Sequence, residues 1–246
     1  MTRTRIAVLA SGGGTNLQAL LDYLERLGER RAGDVVLVAS DRPQAGALAR
    51  AKRHGIATAT LSTANADALA ELLATHRVEL IALAGYLRLV PHEVVRRYAG
   101  RIVNVHPALL PSFAGAGMYG LRLHEAVLAA GVTVTGVTVH FADEVYDRGT
   151  IIAQWPVPVL AGDDAHSLAA RVLRVEHLLY PRVIDAVAAG RLTLAGCRAR
   201  ELGGRATWAD RAAAFTMVSR EDACLAEDID RALQLPEQDS KLRSGD

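Results

Sequence analysis

Arg5-Ile6-Ala7-Val8-Leu9-Ala10-Ser11-Gly12-Gly13-Gly14-Thr15-Asn16-Leu17 passes from an unbroken apolar run into a glycine-rich turn, and Leu17, Leu20, Leu21 and Leu24 follow at helical spacing. An apolar run without alternation suits a strand covered on both faces, as in a parallel sheet. Strand, short loop and helix in that order begin a βαβ unit, and the chain repeats the pattern. Residues 35–40, 58–61 and 79–84 read as strands, and residues 44–54 and 66–76 as helices. The reading is an α/β fold: a doubly wound, mainly parallel sheet with right-handed crossovers, whose strands open at their C-terminal ends onto one crevice.

That crevice is where ligands of open α/β sheets bind, so the loops that reach it carry the functional candidates. The backbone N–H groups of Gly12, Gly13 and Gly14, with a helix N-terminus behind them, suit a phosphate, and Thr15 and Asn16 add side-chain donors. The loop lacks the lysine of a P-loop, and Leu17 stands where a dinucleotide fingerprint has its third glycine. The competing explanation is a tight turn that needs glycine. Residues 86–90, Tyr-Leu-Arg-Leu-Val, form a mostly apolar connection where a polar one is usual. They either tuck under a helix or line a pocket, and Arg88 among them could hold a carboxylate.

The second informative stretch is Ile102-Val103-Asn104-Val105-His106-Pro107-Ala108-Leu109-Leu110-Pro111. It has the apolar, β-branched character of a buried strand but carries Asn104 and His106, side chains that are costly to bury without partners. Two residues apart in a strand, they point to the same side. Pro107 ends the pairing and so places both at the mouth of the sheet. A solitary histidine at a strand end is most simply a hydrogen-bonded structural residue. Here the run Gly136-Val137-Thr138-Val139-His140-Phe141, followed by Asp143, Glu144 and Asp147, brings acid towards the same place.

Residues 112–120 are a glycine-punctuated connection to a helix over residues 121–130. Residues 133–141 and 151–159 form an antiparallel strand pair in the C-terminal half. Residues 165–190 form a long amphipathic helix, broken near Pro181, in which Glu176 by itself reads as a solvated charge. Beyond about residue 198 the chain has weak periodicity and a polar end, as a loosely attached extension would.

The chain of 246 residues is long enough for one large core. With 28 basic and 27 acidic residues it has no global field to favour nucleic acid. Cys197 and Cys224 lack metal-ligand spacing and suit free thiols in a reducing cytoplasm. The apolar run of residues 6–10 is too short for a secretory signal, and no stretch has the length of a membrane span.

Ser11-Gly12-Gly13-Gly14-Thr15-Asn16, Ala84-Gly85-Tyr86-Leu87-Arg88, Asn104-Val105-His106-Pro107-Ala108-Leu109-Leu110-Pro111 and His140 with Asp147-Arg148-Gly149, in this order, resemble the glycinamide ribonucleotide formyltransferases of purine biosynthesis. The resemblance covers about residues 5–195 and implies formyl transfer from 10-formyltetrahydrofolate to the amine of glycinamide ribonucleotide, without a metal. By it, Asn104, His106 and Asp147 are the reacting centre. Gly12, Gly13, Gly14, Thr15, Asn16 and Glu176 hold the ribonucleotide, and Leu87, Arg88, Leu89, Val90, Asn104, His140, Ala142 and Asp143 line the folate site. A protonated His106 would stabilise the oxyanion of the tetrahedral species, with Asp147 relaying the amine proton.

The implied organisation is a Rossmann-like formyltransferase domain over residues 1–197 and an extension, partly disordered, over residues 198–246. Residues 1–100 would bind the ribonucleotide, and residues 101–197 the folate. The expected partners are the two small substrates, with no nucleic acid or membrane, in a cytoplasmic monomer or homodimer. The basic residue that the family often carries after its third strand is missing from Ser62-Thr63-Ala64-Asn65-Ala66. Three rivals carry other expectations. A formyltetrahydrofolate hydrolase would have a regulatory domain ahead of the first strand, and a methionyl-tRNA formyltransferase a basic C-terminal domain. A non-catalytic nucleotide-binding module would need only Gly12, Gly13 and Gly14.

Overall fold

The computed structural model describes residues 2–61, 66–195 and 225–234. Among these, seven strands form one sheet in the order β3-β2-β1-β4-β5-β6-β7. β1 (Thr4–Leu9), β2 (Gly33–Ser40), β3 (Ala57–Thr60), β4 (Leu80–Leu83) and β5 (Ile102–His106) run parallel; β6 (Val134–Phe141) is antiparallel to β5, and β7 (Ile151–Pro158) to β6. The expected doubly wound sheet with an antiparallel pair is the one observed.

The unbroken apolar run of β1 has the expected cause, two covered faces. Ile6 and Val8 join a core with α1 (Thr15–Leu27), α5 (Leu121–Ala129) and α6 (Ala165–Ala188), while Ala7 and Leu9 join one with α3 (Ala66–Thr75) and α4 (His92–Arg97). α2 (Gly46–Arg53) packs beside β2 and β3. The six-residue α4 was not anticipated, because so short a segment shows too little periodicity to read.

α6 corrects the expected break at Pro181. It runs unbroken from Ala165 to Ala188 with Pro181 inside it. Proline removes one helical hydrogen bond and costs about 3 kcal/mol in a helix interior. Val172, Val175, Leu179, Val183 and Ile184 are all buried along the same helix, and each contributes about 1.5–3 kcal/mol. Burial therefore outweighs the lost bond. The Tyr180 hydroxyl then points to the Leu83 carbonyl at 2.9 Å and the Val103 carbonyl at 3.1 Å, fastening α6 across β4 and β5. No helix among the described residues is long and apolar enough to cross a membrane.

Part of the C-terminal extension is packed rather than loose. α7 (Leu225–Gln234) lies on α6, burying Leu225 and Ile229 completely or nearly so. Asp228 accepts from the buried Arg182 at 2.7 Å, and the Arg182 guanidinium lies 5.5 Å from the centre of the Tyr23 ring. The rest of residues 198–246, with Cys197 and Cys224, falls outside the described residues, as does Ser62-Thr63-Ala64-Asn65. Ile229→Ala should lower the unfolding free energy by about 2–4 kcal/mol, as loss of a buried isoleucine does. Urea denaturation checks it, and a loose tail would show no change.

Candidate active site

β5 and β6 pair Asn104 with His140 and His106 with Thr138, so the amide and both imidazoles share one patch of the sheet. His140 Nδ1 lies 3.0 Å from the Phe141 carbonyl oxygen. A carbonyl only accepts, so this nitrogen carries the ring proton, and His140 Nε2 accepts from Asn104 Nδ2 at 3.1 Å. That sets the orientation of the Asn104 amide. By the same reasoning His106 Nε2 donates to the Phe113 carbonyl at 2.9 Å.

Asp147 completes the group. Its Oδ1 lies 3.5 Å from His106 Nδ1 and 3.7 Å from His140 Nε2, and its Oδ2 accepts from the Gly115 N–H at 2.9 Å. The Asp147 backbone is in the left-handed region, φ 56°, which aspartate tolerates better than most residues. Two residues on, any Cβ at Gly149 would collide with the Phe141 carbonyl. The 142–149 connection can therefore fold back over β6 only with glycine there.

The turn after His106 is pinned from the neighbouring strands. Thr138 Oγ1 donates to Ala108 O at 2.7 Å and accepts from Leu110 N and Gln154 Nε2, each at 3.0 Å.

Burial lowers the pKa of His106 despite the opposing pull of Asp147 and the Phe113 carbonyl. The ring is thus neutral at rest near pH 7, and the protonated His106 expected beside the oxyanion would have to form during the reaction. Burial works to raise Asp147, but the His140 and His106 rings, whenever a proton sits on the nitrogen that faces it, and the Gly115 N–H hold it below the usual carboxylate value. The site therefore holds an ionised carboxylate against a neutral imidazole that can take up a proton.

The glycine loop separates its two explanations residue by residue. Gly14 has φ 77°, and a Cβ there would lie 2.6 Å from the Ala47 Cα, so packing against α2 requires glycine. A Cβ at Gly12 or Gly13 would meet nothing within 4 Å, and both residues are exposed. Protein packing does not require glycine at either position, so their bare backbone is left for a ligand to approach. Among the described residues no side chain caps the start of α1, so its first N–H groups are open to an acceptor.

Asn16 differs from its expected role. Its amide donates to Glu176 Oε2 at 2.7 Å instead of pointing into the loop. Glu176 is buried rather than solvated, and desolvation pushes its carboxyl up to about 7 against the opposing Asn16 hydrogen bond. Asn16 Oδ1 is buried with no hydrogen-bond partner among the described residues.

Of the residues assigned to the folate side, Leu89 is exposed and Leu87 half-buried, while Val90 is buried in the core with Val94 and Ile102. Arg88 pairs through Nε with Asp41 at 3.0 Å. Ala142 donates to the Ile102 carbonyl, and Asp143 caps its own turn by accepting from Val145 N. His140 lies between Asn104 and Asp147 in the polar cluster. Sequence reading missed Ser11 and Asp41, together with the Phe113 carbonyl and the Gly115 N–H. The two backbone groups leave no residue-type signal at all. It also missed His124, a buried imidazole that desolvation, then His106, lowers to about 4.

The formyl transferase family model matches residues 4–184. The chain belongs to the formyl transferase family. It is 40% identical over 197 residues to the chloroplastic phosphoribosylglycinamide formyltransferase of Vigna unguiculata, which covers 77% of this chain and 62% of that protein. The phosphoribosylglycinamide formyltransferase of Bacillus subtilis is 37% identical over 187 residues, covering 73% of this chain and 92% of its own. The crystal structure of glycinamide ribonucleotide transformylase 1 from Symbiobacterium toebii superposes with a TM-score of 0.71 at 43% identity, over 77% of this chain and 90% of that one. α7 lies outside the matched residues.

Two outcomes follow from the geometry. Only the ionised form of Glu176 suffers from burial, so stability should fall as pH rises from the ordinary glutamate value to about 7 and level off above it. Glu176→Gln should flatten that slope and gain up to about 3 kcal/mol at pH 8, measured as urea midpoints against pH. Gly12→Ala should unfold within about 0.5 kcal/mol of the parent, whereas Gly14→Ala should lose 1 kcal/mol or more. Parallel denaturation curves decide between them.

Proposed function

We propose that this protein is a phosphoribosylglycinamide formyltransferase, moving the formyl group of 10-formyltetrahydrofolate to the primary amine of glycinamide ribonucleotide. The observation that carries the reading is the cluster of Asn104, His106, His140 and Asp147, in which an oriented amide and an imidazole N–H lie beside an ionised carboxylate. Acyl transfer to an amine needs those functions: donors for an oxyanion and an acceptor for the amine proton.

His106 Nε2–H serves the oxyanion once an oxygen of the substrate replaces the Phe113 carbonyl as its acceptor. The free N–H of Asn104 is the second donor, and His140 keeps it aimed. Negative charge growing at that point favours imidazolium, so the proton lost from the attacking nitrogen passes by way of Asp147 to His106 Nδ1. The same proton then goes to the departing folate nitrogen. The products are a formamide and tetrahydrofolate, with atoms and charge balanced.

Gly12, Gly13 and the start of α1 offer the N–H groups for the ribonucleotide phosphate. The buried, unpaired Asn16 Oδ1 beside Glu176 fits a sugar hydroxyl, since a lone buried acceptor costs about 1–3 kcal/mol until a donor reaches it. On the other side, Leu87, Leu89 and Val145 offer apolar surface for a pterin, and the exposed end of Arg88 suits the carboxylates of its glutamate tail.

Purified protein should form tetrahydrofolate from 10-formyltetrahydrofolate only when glycinamide ribonucleotide is present. His106→Ala and Asp147→Asn should each cut turnover about a hundredfold or more. Release of tetrahydrofolate without the ribonucleotide would point to a hydrolase, and parental rates in both variants would eliminate the mechanism.

A further inference from the structure

We propose that Ser11 and Asp41 are positioning residues that hold the glycine loop, the 85–90 loop and the Asp147 loop in register, so that both substrates depend on a pair of side chains that touch neither. The inference rests on the function proposed above. Ser11 is 2% exposed, too deep to meet a ligand. It joins the ends of three adjacent strands. Its N–H donates to Gly85 O and its hydroxyl to Asp41 Oδ1 at 2.6 Å, while the same oxygen accepts from Leu87 N at 3.0 Å. Asp41 Oδ2 then accepts from Arg88 Nε at 3.0 Å.

The carboxyl side chain of Asp41 is only 6% exposed while that of Arg88 is 52% exposed. A buried carboxylate needs both of its partners, whereas an exposed guanidinium can exchange its own. Asp41 is thus the fixed point of the pair, and Arg88 is set by it. Because Asp41 uses only Nε, the terminal nitrogens of Arg88 have no partner among the described residues and can face a ligand.

The network continues to the chemistry. The peptide of Leu87 is held on both sides, its N–H by Ser11 and its C=O by the Tyr146 hydroxyl at 3.4 Å. Tyr146 directly precedes Asp147. A shift of Leu87 is therefore felt at the first residue of the glycine loop and at the neighbour of the catalytic carboxylate. The physical link is a short chain of hydrogen bonds through one peptide unit.

Steady-state kinetics on the full chain, varying each substrate in turn, tests this, with thermal unfolding run on every variant. Asp41→Ala should raise KM for both substrates about fivefold or more while kcat changes less than about threefold, the scale of one lost hydrogen bond to a charged group. Asp41→Asn keeps an acceptor for Ser11 but drops the charge facing Arg88. It should restore KM for the ribonucleotide towards the parent and leave KM for the folate raised. Ser11→Ala should reproduce the double KM effect, so the test survives if Asp41→Ala does not fold. Parental KM values in Asp41→Asn and Ser11→Ala, with only the unfolding temperature lowered, would overturn the positioning role. A parent protein inactive with both substrates would instead overturn the proposed reaction.

Discussion

The Asp147 carboxylate is held with only 9% of its side chain exposed, between two imidazoles and a loop N–H. Taking a charge out of water is costly unless other groups offset it: here the Gly115 N–H donates to Oδ2, and two ring nitrogens face Oδ1, where a proton taken up by either imidazole would pair with the carboxylate. His106 comes from the end of β5, His140 from β6, and Gly115 from the connection that follows the proline-rich turn. Phe113 in that connection takes up the other side of His106. The sheet register, the left-handed turn at Asp147 and the bare Gly149 are all needed for the carboxylate to reach its seat.

The sheet supplies the rest of the arrangement through polarity. Because β1, β4 and β5 are parallel and adjacent, their C-terminal ends bring the glycine loop, the 85–90 loop and Asn104 to one edge. The reversal at β6 then adds something that a purely parallel sheet could not. It runs a strand back beside β5, so that His140 lies across from Asn104 and the acidic connection returns to the mouth. Tyr180 and Glu176 lock α6 to the sheet and to α1. α7 covers the far part of α6, where Arg182 would otherwise lose its partner Asp228.

Much of this was legible from residue order. The unbroken apolar run of β1 and the repeated strand-helix spacing are local patterns, and local patterns survive folding unchanged. Asn104, His106 and His140 also stood out, because polar residues in a buried strand are anomalous wherever they occur, while Asp147, on the connection after β6, was singled out by the family resemblance. What could not be read was competition between distant groups. Pro181 looks like a helix end until the burial of the whole helix is weighed against one missing hydrogen bond. Asn16 looks like a phosphate donor until Glu176, 160 positions away, takes its amide.

Taken alone, then, the sequence determined the sheet, its polarity and the identities of the side chains at its mouth, because strand and helix periodicities and proline stops act over a few residues. Tertiary structure decided which of those side chains face one another and in which protonation state. The tautomers of His106 and His140 depend on carbonyls supplied by the fold. The neutral resting state of His106 depends on depth, and the raised carboxyl of Glu176 depends on being sealed between α1 and α6. Burial and partner geometry are properties of the assembled chain, which is why no residue pattern announces them.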